Sequence, residues 1–328
     1  MSENMKMEVL LGEENTKMMA EKFPVIYPTP VDTDMEKKIQ NRLLNGFENW
    51  NRGFEAWKEW GGVLYTDASI YNVHAVKLTL ANYQMAMMGT LKRNKILMGD
   101  FMNMLIVDDW TAIHYKIATE NPATGEFYPG SVMEFVKFAD LGEELGARVV
   151  EGWAGTRGDD FAGLSMIQAP ACKEAQDKVT EEVLNTVIPD TDDLVAKYPV
   201  KFPTTIKNEM GLKIRDYILA EFDAYNKGYE AYAECVKANA AEGFKHYAGL
   251  TEQSADEYLA DIKADMEAKD TRRVFFDSMI ISGNCAAIHY RTVVTDKATD
   301  ERVAADVMEH IHFTNDGDSV KATTRWTS

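Results

Sequence analysis

Cysteine is scarce in this chain. Its three thiols, Cys172, Cys235 and Cys285, lie far apart and form no CxxC pair. That excludes a disulfide framework and a thiolate zinc site, and it suits a reducing compartment. Positive charge is short as well: 35 basic against 53 acidic side chains leave a formal net charge of -18. Phosphates must be met by Lys and Arg, so no nucleic-acid partner is expected, and an anionic membrane surface would repel the chain. No stretch approaches the roughly 18 apolar residues of a membrane span. The opening MSENMKMEVLLGEENTK lacks the apolar run of a signal peptide, so a cytoplasmic protein is expected. GxGxxG, P-loop and HExxH patterns are missing too, and the reading implies no cofactor and no metal. What the chain does have is a hydrophobic content of 45% over 328 residues, enough to build a proper core.

The chain also repeats itself. At an offset of 175, Phe47-Glu48-Asn49-Trp50-Asn51-Arg52-Gly53-Phe54-Glu55-Ala56-Trp57 falls on Phe222-Asp223-Ala224-Tyr225-Asn226-Lys227-Gly228-Tyr229-Glu230-Ala231-Tyr232. Five of those eleven pairs are identical. In the same register Ala112-Ile113-His114-Tyr115-Lys116 meets Ala287-Ile288-His289-Tyr290-Arg291, Val132-Met133-Glu134 meets Val307-Met308-Glu309, and Tyr83 meets Tyr258. A shared helical period would not explain the last blocks, so the chain reads as a duplication. The unit is domain-sized, far longer than a solenoid repeat of roughly 20–50 residues. The spacing predicts an N-terminal arm over 1–38, a first domain over 39–153, a connector with a helix over 154–213 and a second domain over 214–328.

Each copy opens on a helix. In the first, Ile39, Leu43, Leu44, Phe47, Trp50, Phe54 and Trp57 recur at helical spacing, with Gly53 and Gly228 placed to end or kink it. A second helix is predicted over about Thr79 to Lys92, and its counterpart over about Ala255 to Lys269. The period then switches towards two. Ile96 to Val107, Thr111 to Thr119, Ser131 to Ala139 and Ala147 to Trp153 read as strands, with Asp108-Asp109 and Asn121 to Gly125 as turns. Helices followed by an antiparallel meander make an α+β domain whose helices cover one face of a curved sheet.

This order, together with Trp50-Asn51-Arg52-Gly53, Leu64-Tyr65-Thr66-Asp67-Ala68-Ser69-Ile70-Tyr71, the strand ending in Trp153 and the closing hairpin Phe313-Thr-Asn-Asp-Gly317, resembles the SnoaL-like branch of the nuclear transport factor 2-like superfamily. The resemblance implies two tandem cone-shaped α+β barrels, each a bent sheet wrapped round helices with an apolar pocket at its open end. It implies cofactor-free small-molecule chemistry in some members and mere binding in others. Its dimers often pack sheet to sheet, so an intramolecular pseudo-dimer is expected, with a homo-oligomer as an open alternative. Polar pocket residues are implied at Asn51 and Tyr71. Lys95 stands where scytalone dehydratase-like members place a catalytic histidine.

The residues themselves narrow the choice. A lone carboxylate on an apolar strand face, as Glu134 among Val132, Val136 and Phe138, must be paired, solvated or shifted in pKa, and that is what a general base needs. Histidine is the side chain whose ordinary pKa lies nearest neutrality, and His114 alternates onto the face opposite Tyr115. The candidate catalytic set is Glu134, His114, Tyr71, Lys95 and Asn51. The candidate substrate-binding set is Trp50, His74, Tyr83, Met87 and Met98, because a Trp- and Met-rich lining suits a flat aromatic ligand. The functional expectation is a cofactor-independent lyase, by dehydration or retro-aldol C–C cleavage, on a hydrophobic aromatic alcohol or ketone. Alternatives are an isomerase or polyketide cyclase working through an enolate, and a non-catalytic binding or assembly module. A cone filled by its own side chains would speak against chemistry in that copy.

Overall fold

The computed structural model describes residues 13–73, 76–79, 88, 95–121, 123–142, 146–156 and 180–328. The chain divides into two compact units, Met1–Lys173 and Glu174–Ser328.

In unit 1, α1 (Glu13–Lys22) and β1 (Val25–Pro28) precede α2 (Asp34–Asn51) and α3 (Phe54–Leu64). There follow β2 (Tyr65–Val73), β3 (Val76–Thr79), β4 (Ile96–Val107), β5 (Trp110–Glu120), β6 (Phe127–Asp140) and β7 (Ala147–Thr156). Thr33 and Glu36 start α2 with a reciprocal capping box. The buried Glu36 carboxylate also accepts from the Asp108 amide at 3.2 Å, tying the helix start to the β4–β5 turn. Gly53, at φ 101°, divides the opening helix into α2 and α3 where the sequence placed an end or kink, a turn that a side chain at that φ would strain.

Unit 2 runs α4 (Leu194–Lys197), β8 (Val200–Pro203), α5 (Glu209–Asn226), α6 (Tyr229–Asn239), β9 (Ala240–Ala248), β10 (Thr251–Ser254) and α7 (Ala255–Ala268). It closes with β11 (Lys269–Ser282), β12 (Cys285–Asp296), β13 (Arg302–Asp316) and β14 (Ser319–Thr327). Residues 180–185, within the predicted connector helix, are helical.

The sheets share one topology. Unit 1 has the order β1-β4-β5-β6-β7-β2-β3, and unit 2 has β8-β11-β12-β13-β14-β9-β10. The central pairs are antiparallel, as the meander predicted. Two pairings in each sheet are parallel instead: β1 on β4 and β2 on β7, then β8 on β11 and β9 on β14. The offset of 175 holds in three dimensions, since Val25 pairs with Phe101 and Val200 with Phe276. The strand at the arm's end and the strand in the connector are therefore sheet members that the sequence blocks left outside the repeat. They are four residues long, too short for periodicity to show.

Each unit is a curved sheet with its helices on one face, an α+β architecture in tandem. In unit 1 Phe47 of α2 meets Phe101 at 4.4 Å and Tyr115 at 4.9 Å, ring centre to ring centre. In unit 2 Phe222 of α5 meets Phe276 at 4.3 Å and Tyr290 at 5.3 Å. The same aromatic triad thus anchors helix to sheet twice, and aromatic pairs in offset or edge geometry stabilise beyond their buried area.

Candidate functional site

Both units place a tyrosine–glutamate pair on the helix-facing side of the sheet. Tyr115 of β5 donates to Glu134 Oε1 at 2.6 Å, and Tyr290 of β12 donates to Glu309 Oε1 at 2.8 Å. Alternation along β6 puts Glu134 on the same face as the core residues Val132, Val136 and Phe138. Glu134 is half-buried, whereas Glu309 is buried.

What surrounds the pair differs sharply. In unit 2 the interior holds Glu221 of α5, Arg325 of β14, Arg273 of β11 and the phenols of Tyr232 and Tyr258, all buried. Arg325 grips Glu221 through both amino nitrogens, Nη1 to Oε1 at 2.6 Å and Nη2 to Oε2 at 2.5 Å. Nη1 also donates to the Tyr232 and Tyr258 hydroxyls at 3.1 Å each. Arg325 Nε stands 3.6 Å from Glu309 Oε2, near enough to balance its charge but beyond hydrogen-bonding distance. Arg273 lies over Tyr225 at 4.0 Å, with Tyr290, Tyr232 and Phe222 further out. Burial is the strongest influence on Glu221 and opposes its ionisation, but the charge and hydrogen bonds of Arg325 outweigh it and hold the carboxyl at about 2. Burial acts on Arg325 too, and the carboxylates Glu221 and Glu309 keep it charged. The interior of unit 2 is thus filled by a neutralised ionic network.

Register locates the corresponding positions of unit 1. Arg325 pairs with Ile311 and Gly152 pairs with Val136, one repeat length apart, so Gly152 stands in the place of Arg325. The offset puts Gly46 at Glu221, Met98 at Arg273, Trp57 at Tyr232 and Trp50 at Tyr225. Of the four charged members of the network only the carboxylate of Glu134 persists. Unit 1 has a buried cation of its own in Arg42 of α2, which the offset puts at Tyr217, and Trp50 and Trp57 are buried and meet edge to face at 5.9 Å.

The predicted residues are distributed unevenly round this pair. Asn51 is spent on the backbone. Its Nδ2 donates to Met98 O at 3.0 Å while its Oδ1 accepts from Met98 N at 2.7 Å. Asn226 clamps Arg273 identically, at 2.8 Å both ways. Asn51 and Met98 are thus brought together, in a structural bond that takes the amide oxygen and one of its two N–H groups. Trp50 donates its indole N–H to Ile96 O at 3.1 Å. His114 is buried on the other face of the sheet, with Nε2 2.8 Å from Ser131 Oγ and Nδ1 3.4 Å from Asn103 Nδ2. It does not share a site with Glu134. Lys95 is exposed, 3.8 Å from Glu120 and 5.5 Å above the Phe127 ring. Tyr71 lies in β2, its backbone in register with Gly152. Its side chain, and His74, Tyr83 and Met87 altogether, lie outside the described residues.

Sequence reading missed the tyrosine partner of each glutamate and the entire network of unit 2. The signal for Tyr115 was present, since it alternates onto the face of Ile113, the cross-strand neighbour of Glu134. Among the described residues no group of three His, Cys, Asp or Glu side chains could hold a metal ion. No helix among them is long and apolar enough to cross a membrane.

No protein-family model matches this chain, and no curated protein sequence matches it. Solved structures similar to part of it are SnoaL-like and ketosteroid isomerase-like proteins. A ketosteroid isomerase-like protein from Erwinia carotovora is 19% identical, covering 37% of this chain and 97% of its own, with a TM-score of 0.30. A SnoaL-like protein from Jannaschia is 10% identical over 38% of this chain and 90% of its own, with a TM-score of 0.32. A nuclear transport factor 2-like protein of unknown function from Burkholderia pseudomallei is 17% identical over 35% of this chain and 88% of its own, with a TM-score of 0.30.

Proposed function

We propose that unit 1 is the working unit and unit 2 its structural partner, and that unit 1 performs general acid–base chemistry on a small hydrophobic substrate without a cofactor. One observation carries this reading. The tyrosine–glutamate pair recurs in both units, yet the arginine and glutamate that occupy the interior of unit 2 give way in unit 1 to Gly152 and Gly46. An interior glycine weakens a helix or strand by roughly 0.5–1 kcal/mol, so glycines at these two positions favour a purpose other than stability.

In this reading Glu134 is the base. The Tyr115 hydroxyl donates to Oε1 and so orients the carboxylate. The apolar wall of Trp50 and Trp57 excludes water and holds a flat ring. Removing a hydroxyl or α-carbon proton from an aromatic alcohol or ketone starts dehydration, retro-aldol cleavage or enolisation alike. We favour the lyase outcome, with Tyr71 beside Gly152 as a donor to the developing oxyanion.

The test is turnover of a panel of aromatic alcohols and ketones by the full chain. Glu134→Gln should lower kcat by about 10²–10⁴-fold. Glu309→Gln should leave turnover of the folded protein unchanged. Equal activity in both variants, or no turnover of any panel member, would sink the reading.

A further inference from the structure

We draw no further inference here: the strongest candidate, the cleft of unit 2 between the α5–α6 turn, the end of α7 and the start of β11, is lined by Lys263, Lys269 and Lys297 against Glu230, Glu267 and Asp270, a balance of charge that favours no one class of ligand.

Discussion

Arg325 and Glu221 form a two-point ion pair inside unit 2, with Nη1 and Nη2 each meeting one carboxylate oxygen, and both side chains are buried. Such a pair is stabilising only as a pair, because either member alone is an uncompensated charge in the interior. Arg325→Met is therefore expected to destabilise unit 2 by about 3–5 kcal/mol, and Glu221→Met together with Arg325→Met to recover most of that loss. Denaturant unfolding of the single and double variants measures both. A double variant as unstable as the single would refute the network as drawn.

Acid should weaken unit 2 in two stages. Burial lowers His312 from 6.5 to about 4, so the unfolded chain takes up that proton first and stability falls as pH drops from about 6.5 through 4. Glu221 lies at about 2 for the reasons given above. Asp223 also lies at about 2: burial is its largest influence and raises it, but hydrogen bonds from Lys197, Lys227 and Tyr198 prevail. Their contribution is complete above about 4.5 and is lost as pH falls towards 2. Unfolding midpoints measured from pH 7 to 2 should show both slopes, and His312→Gln should flatten the upper one only.

The two asparagine clamps should matter equally. Asn51→Asp and Asn226→Asp keep an acceptor but remove the donor to the Met98 and Arg273 carbonyls. Each is expected to cost about 1–3 kcal/mol in its own unit, the penalty for an unmet polar group. Thermal melts followed separately for the two units would show the effect, and a silent Asn226→Asp would contradict it.

Tyr115→Phe probes the pairing with Glu134 directly. Losing a hydrogen bond to the anion favours the protonated acid, so the acidic limb of the kcat/KM profile should move to higher pH. kcat should fall by about tenfold while KM changes little, since the hydroxyl positions the base and does not touch the substrate. An unmoved pH profile would make Tyr115 a packing residue.

Much of the frame was legible in the sequence. The blocks Ala112 to Lys116 and Val132 to Glu134 announced the duplication, and period-two alternation located β4 to β7 within a few residues. The alternation also assigned His114 and Glu134 to opposite faces. What stayed hidden needed register. Arg325 and Glu221 are 104 residues apart, and nothing local marks either as buried. The acidic residues that made the second copy look charged, such as Asp256, Glu257 and Glu267, lie exposed on α7, while its decisive charges lie inside. Asn51 read as a pocket residue because its type suits substrates; its amide matches one peptide unit equally well, and the strand alongside claims it.

That clamp has a consequence for how the two interiors came to diverge. One asparagine in each unit pins the end of a helix to the first turn of a central strand, through both hydrogen-bonding groups of a peptide. The spacing of helix and sheet is then set by a hinge pin at the margin, independent of what lies between them. Such a fastening lets the contents between helix and sheet be rewritten, Glu221 and Arg325 in one copy and Gly46 and Gly152 in the other, while the wall that contains them holds still.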